Sequence, residues 1–118
     1  MTVPQYEKAP FYMRFEEPAL QAAFLAELGR RQVPYVINES GAVGYGPDNW
    51  FDVMDAANIV RDSQFPWYFL MCATDSDAAR LRARLEQGGF PFFVEHSNTG
   101  SAFGVRRQDS DALRKLPW

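Results

Sequence analysis

His96 is the one histidine of this 118-residue sequence, and the carboxylate of Glu39 stands 57 positions before it. An imidazole and a carboxylate suit general acid–base chemistry if both come within about 3 Å of a substrate proton. The spacing does not secure that, and a lone polar histidine at a strand end is ordinarily a solvated residue. No catalytic residue is assigned, and a small enzyme using the Glu39/His96 region is kept as an alternative reading. A zinc centre draws on several Cys or His ligands, and a two-histidine, one-carboxylate centre needs a second histidine. With one His and one Cys in the chain, no metal and no cofactor are expected.

The remaining chemical candidates read as structure. Gly41, Gly44 and Gly46 are not followed by the Gly-Lys-Ser/Thr of a phosphate loop, and they suit a hairpin instead. Gly44 and Gly104 also suit a bulge or a close approach of another backbone. Ser40, Ser97 and Ser101 lack a nucleophile elbow and an evident base. Cys72 lies in an apolar run without an activating charge nearby in sequence, as a small buried hydrophobe would.

Hydrophobic residues are 47%, aromatic 15% and charged 23%, which excludes a disordered tail and a coiled coil. Twelve Lys and Arg against fifteen Asp and Glu give a net charge of −3, so nucleic acid is not an expected partner. The longest apolar run, residues 65–73, is far short of the roughly 20 residues that cross a bilayer. Residues 1–10 lack the apolar core of an export signal. No membrane association is expected, and the cytoplasm is the expected compartment. Charges fall at helical spacings: Asp48, Asp52, Asp55 and Asp62 form an acidic stripe, and Arg80 and Arg84 sit one turn apart with Arg82 nearby. Both read as solvated faces, with docking to a charged partner as the sharper alternative.

The elements that must position these residues come in two copies. Val33-Pro34-Tyr35-Val36-Ile37 aligns with Phe90-Pro91-Phe92-Phe93-Val94 at an offset of 57, which also pairs Phe24 with Leu81, Leu28 with Leu85, and Glu39 with His96. Beyond Asn98-Thr99-Gly100 the offset becomes 60, matching Ala42-Val43-Gly44 to Ala102-Phe103-Gly104. Each copy reads as strand, helix, strand, strand, helix. Residues 11–16 alternate as a half-buried strand, and Leu20, Ala23, Phe24 and Leu28 make one helix face. Strands follow at 33–38 and 42–46 around a Ser40-Gly41 turn, with a helix burying Trp50, Val53, Met54, Ala57 and Val60 that ends before Pro66. The second copy has a strand at 67–73, a helix capped at residues 74–77 and closed by Gly88-Gly89, a hairpin of 90–96 with 101–107, and a short helix at 110–116.

The expected fold is therefore α+β: one domain over residues 1–118, made of half-repeats at about 11–64 and 66–118. It is a tandem βαββα repeat of ferredoxin-like α/β plait character, with antiparallel strands and its helices on one face. Strand 67–73 is apolar on both sides, so a second layer must cover it. That layer is an intrachain core with the strand central, an identical subunit packed face to face, or a foreign protein.

The second copy resembles the small regulatory modules of the ACT and PII-like type. The likeness lies in its apolar strand, Asp75-Ser76-Asp77-Ala78-Ala79, Leu81, Leu85, residues 88–94 from Gly88 through Phe90 and Pro91 to Val94, Val105, and the stretch from Asp109 to Leu113. The resemblance implies a ferredoxin-like fold and regulatory binding. The expected function is a non-enzymatic regulatory or protein-interaction module, in one form an immunity-type protein that occludes a toxin. Trp50, Trp67, Tyr68, Phe92, Phe93 and Phe103 are the candidate anchors for a protein partner or a homodimer through an apolar sheet face. The alternative is small-molecule sensing in a cleft lined by Tyr35, Glu39, Tyr45 and His96.

Overall fold

The computed structural model describes residues 11–115; the expected contributions of Leu116 and of residues 1–10 lie outside them. Strand β1 (Phe11–Phe15) buries Met13 and Phe15. Helix α1 (Pro18–Arg30) opens on proline, whose missing N–H has no partner to lose in a first turn, and buries Leu20, Phe24 and Leu28; Ala23 faces out. Strand β2 (Val36–Ile37) starts beyond Pro34, which lacks a ladder donor, and is cut short by the turn at Asn38. Asn38 builds the following turn: its Oδ1 accepts from the N–H groups of Ser40 and Ala42, both at 3.0 Å, and Gly41 takes φ +84°. Strand β3 (Val43–Tyr45) returns, and a short 3-10 turn at Pro47–Asn49 leads into helix α2 (Trp50–Asp62).

Strand β4 (Trp67–Cys72) starts the second unit. Helix α3 (Asp75–Gly88) is capped by Thr74, whose Oγ1 accepts from the Asp77 N–H at 3.1 Å, and ends on Gly89 at φ +71°. Pro91 holds back β5 to Phe92–Ser97, which turns into β6 (Gly100–Arg106), and α4 (Ser110–Arg114) follows.

All six strands form one antiparallel sheet in the order β2-β3-β1-β5-β6-β4. Each unit lays down its second, third and first strand in that order, and β1 joins the units by pairing with β5. Every neighbour reverses direction, so β1 and β2 run parallel with β3 between them, and β4 and β5 run parallel to each other but opposite to β1. A strand–helix–strand crossover is right-handed in nearly all proteins. Reversing the strands while keeping their order must therefore move the helix to the other side.

The packing follows that rule and corrects the expectation of helices on one face. Residues opposite each other across an antiparallel pair share a face. Met13, Phe15, Val43, Tyr45 and Phe93 share the first face and pack under α1 and α2 with Leu20, Phe24, Leu28, Val53, Ala56, Ala57 and Val60. Val94, Phe103, Val105 and Cys72 share the second face and pack under α3 and α4 with Leu81, Leu85 and Leu113. A second correction concerns β4. It lies at the sheet edge rather than centrally, because β5 takes the place beside β1 that a plait would give to its fourth strand. Trp67, Tyr68, Phe69 and Leu70 are half-buried and Met71 is 58% exposed. The layer under Trp67 and Phe69 is the α2 side of the first core, and the layer under Tyr68 and Leu70 is the α4 side of the second.

An ion pair is sealed into the first core. Arg61 of α2 reaches Glu95 of β5 in a fork, Nε to Oε2 at 2.7 Å and Nη2 to Oε1 at 2.6 Å, with side chains 8% and 6% exposed. Its Nη1 donates to Asn58 at 2.7 Å, and its guanidinium lies over the rings of Phe69 and Trp67 at 4.8 and 5.4 Å. Such a pair gives little net stability over an apolar substitute, but removing one partner strands a charge. Glu95→Ala is expected to destabilise by about 3–5 kcal/mol, and Arg61→Met combined with Glu95→Leu to recover most of that loss. Urea denaturation of the parent protein and the two variants measures both.

Candidate functional site

The sheet brings together residues that spacing along the chain kept apart. On the second face, β1, β5, β6 and β4 align Arg14, His96, Ser101 and Cys72 in one cross-strand row. His96 Nδ1 lies 3.1 Å from Ser101 Oγ, and its Nε2 lies 2.7 Å from Oε2 of Glu16, at the end of β1. The same Oε2 accepts from Arg82 Nη2 of α3 at 2.6 Å. Arg82 also lies over the rings of Phe103 and Phe92 at 5.7 and 5.9 Å. Serine, imidazole and carboxylate are thus in hydrogen-bonded sequence, the order of a nucleophilic relay.

The arrangement clamps β1, β5 and α3 together. Ser101 is buried, and its hydroxyl is held against the His96 ring. Glu16 is shared with an arginine, which draws its negative charge away from the imidazole. Both ring nitrogens are satisfied in either protonation state: neutral His96 accepts from the Ser101 hydroxyl while donating to Glu16, and the cation donates to both. Cys72 is inert, since burial, with Asp77 adding to it, pushes its thiol up.

Glu39 does not join this cluster. It is exposed in the β2–β3 turn, on the far side of β3 and β1 from His96. Tyr45 is buried in the first core, stacked on Phe11 at 5.6 Å; burial raises its hydroxyl, while the charge of Arg61 pulls the other way. Tyr35 is half-buried against the same core. The four residues of the sensing reading therefore fall on different parts of the sheet, with Tyr45 and His96 on opposite faces. Among the candidate anchors, Phe93 and Phe103 are core, and Phe92 and Trp67 are half-buried, with Trp67 Nε1 donating to Asp62 at 2.7 Å. The ring of Phe93 fills the space over Gly104, where a Cβ would collide with it, so the close approach expected at Gly104 is to a side chain.

Trp50 is exposed, edge-on to Phe51 at 5.0 Å, and Phe51 is 77% exposed. Residue type gives no sign that Phe51 and Met71 lie at the surface.

A groove of about 690 Å³ opens where β4 meets α4. Tyr68, Leu70 and Leu113 line it together with Ser110, Arg107 and Arg114. A second groove continues past the other end of β4, lined by Leu70, Met71, Cys72, Leu81, Asp77 and Arg80. Among the described residues no cluster of His, Cys, Asp and Glu could hold a metal ion, and no helix is long and apolar enough to cross a membrane. No family model matches the chain, and no curated protein or solved structure matches it.

The clamp has a pH signature. Burial works to raise the Glu16 carboxyl, but the hydrogen bonds from Arg82 and His96 outweigh it and hold the group below its ordinary value of 4.5. The folded state binds this proton less readily than the unfolded chain. The stabilisation is thus full above about pH 4.5 and is lost as pH falls through the lowered folded value. Glu16→Gln is expected to lower stability at pH 7, by under about 1 kcal/mol for so exposed a pair, and to match the parent protein at low pH. Denaturation midpoints of both proteins across pH 3–7 measure the convergence.

Proposed function

We propose that this protein is a non-enzymatic interaction module that binds a protein partner along the β4 side of its sheet. The observation that carries the reading is the groove floored by Tyr68, Leu70 and Leu113, with the guanidinium groups of Arg107 and Arg114 at its margin. Apolar floor, aromatic side chain and arginine rim are the ingredients of protein recognition hot spots. The reading is further supported by the chemistry of the polar cluster, which ties strands to a helix and leaves its serine buried. The finer description, two copies of a ferredoxin-like unit, is supported by the shared strand order of β2-β3-β1 and β5-β6-β4.

The test is stoichiometric complex formation by the tagged protein. The parent protein is expected to retain one polypeptide partner, either another protein or an untagged copy of itself, and Leu70→Glu to weaken that retention by at least about tenfold. Phe51→Ser, on the far side of the sheet from the groove, should leave it unchanged. A parent protein that holds no stoichiometric polypeptide overturns the reading.

A further inference from the structure

The two margins of the sheet are unequal. Strand β2 offers a neighbour only Val36 and Ile37. Strand β4 offers six residues, Trp67–Cys72, without a charge, a proline or a bulge, and its ladder to β6 runs unbroken from Trp67 opposite Arg106 to Cys72 opposite Ser101. Among the described residues, β6 is its one strand neighbour. Sheet edges are ordinarily guarded by charge, proline, bulges or shortness, because a bare edge pairs with other chains.

The hydrogen-bond phase of β4 fixes which groups are free. In an antiparallel pair, residues alternate between facing their partner strand and facing away. The Arg107 N–H donates to the Pro66 carbonyl at 3.0 Å, so Pro66 faces β6, and by alternation so do Tyr68, Leu70 and Cys72. Trp67, Phe69 and Met71 therefore turn their main-chain groups to the open edge. The Trp67 carbonyl accepts from Arg107 Nε at 2.9 Å and keeps a second lone pair.

We propose that β4 pairs antiparallel with β4 of a second copy of this chain about a two-fold axis at Phe69, joining two six-stranded sheets into one. The proposal rests on the interaction reading and names its partner. In this register Phe69 lies opposite Phe69 of the partner subunit, and Trp67 lies opposite Met71 of the partner subunit. Each outward-facing group then meets one of the same set, and the exposed Met71 is covered by an indole.

Charge favours a second copy over an unrelated strand. Arg107 and Arg114 lie at the Tyr68 end of β4, with Asp62 beside Arg107 and Asp111 3.8 Å from Arg114, and Asp75 and Asp77 begin α3 at its Cys72 end, with Arg80 as the cation there. Antiparallel pairing sets Arg107 and Arg114 of each chain against the end holding Asp75 and Asp77 on the other. It also brings the groove at Tyr68 and Leu113 alongside the partner's groove at Cys72 and Leu81, making one apolar channel across the axis. Self-complementarity of this kind is what a closed two-fold interface requires.

Sedimentation or light scattering tests the proposal. The parent protein is expected at twice the 13.5 kDa of one chain. Met71→Lys is expected to run as a monomer with an unchanged circular dichroism spectrum and a melting temperature that no longer rises with protein concentration. Met71→Pro removes one outward N–H without touching the β6 ladder and should do the same. Arg114→Asp should weaken the dimer by at least about tenfold, and Arg114→Asp with Asp77→Arg should restore it. A parent protein that stays monomeric at about 100 μM, or a Met71→Lys variant that remains dimeric, overturns the proposal. A monomer that still retains a different polypeptide through Leu70 overturns the second copy as partner while sustaining the interaction reading.

Discussion

Three strands per unit is an odd number, and in a sheet where every neighbour reverses direction that parity decides the architecture. The second unit enters the sheet upside down relative to the first. With the crossover hand fixed by strand twist, its helices have one side available to them, the side opposite α1 and α2. The molecule consequently has two half-cores on opposite faces instead of one layer of helices over one face. β5, the strand beside the junction, must serve both: Phe93 enters the core under α1 and α2 while Phe92 and Val94 enter the core under α3 and α4.

The same division explains the two polar clusters. Arg61 with Glu95 lies in the first core, and Glu16 with His96 and Arg82 borders the second. Both join a helix to β5, and the second also holds the end of β1, so they tie the helices down at the seam where the two units meet. Their burial differs, and so does their energetic character. The first is nearly sealed from water, where an unpartnered charge is intolerable. The second is about one-third exposed, where water screens the pair and limits its worth.

Local elements were legible in the sequence because their causes are local. Thr74, Gly89, Pro18, Pro66 and the Asn38-Glu39-Ser40-Gly41 turn act within a few residues of themselves, and the periods of α1, α2 and α3 follow from one-sided burial. Pro34 and Pro91 trimmed β2 and β5 from the expected spans by removing donors at their starts. What was not legible depends on strand order. The apolar character of β4 pointed to a central strand, yet its two faces are met by different half-cores while its rim stays free. His96 aligned with Glu39 in the repeat, but its partner is Glu16, brought across by the β1–β5 junction, which no offset between copies encodes. Arg61 reads as one of the polar positions of α2, because only the arrival of Glu95 from β5 makes its burial tolerable.

The shortness of β2 acquires a meaning from this arrangement. β4 occupies in its unit the position that β1 occupies in the first, and β1 receives the six-residue β5 along its side. The counterpart of β5 in the first unit is β2, two residues long and bounded by Pro34. A full-length β2 would let each molecule dock onto the β4 of the next, repeating the internal junction without closure and growing a fibre. Pro91 stands before β5 as Pro34 stands before β2, so the difference in length comes from the far end, where the Asn38 turn closes the first hairpin directly after Ile37.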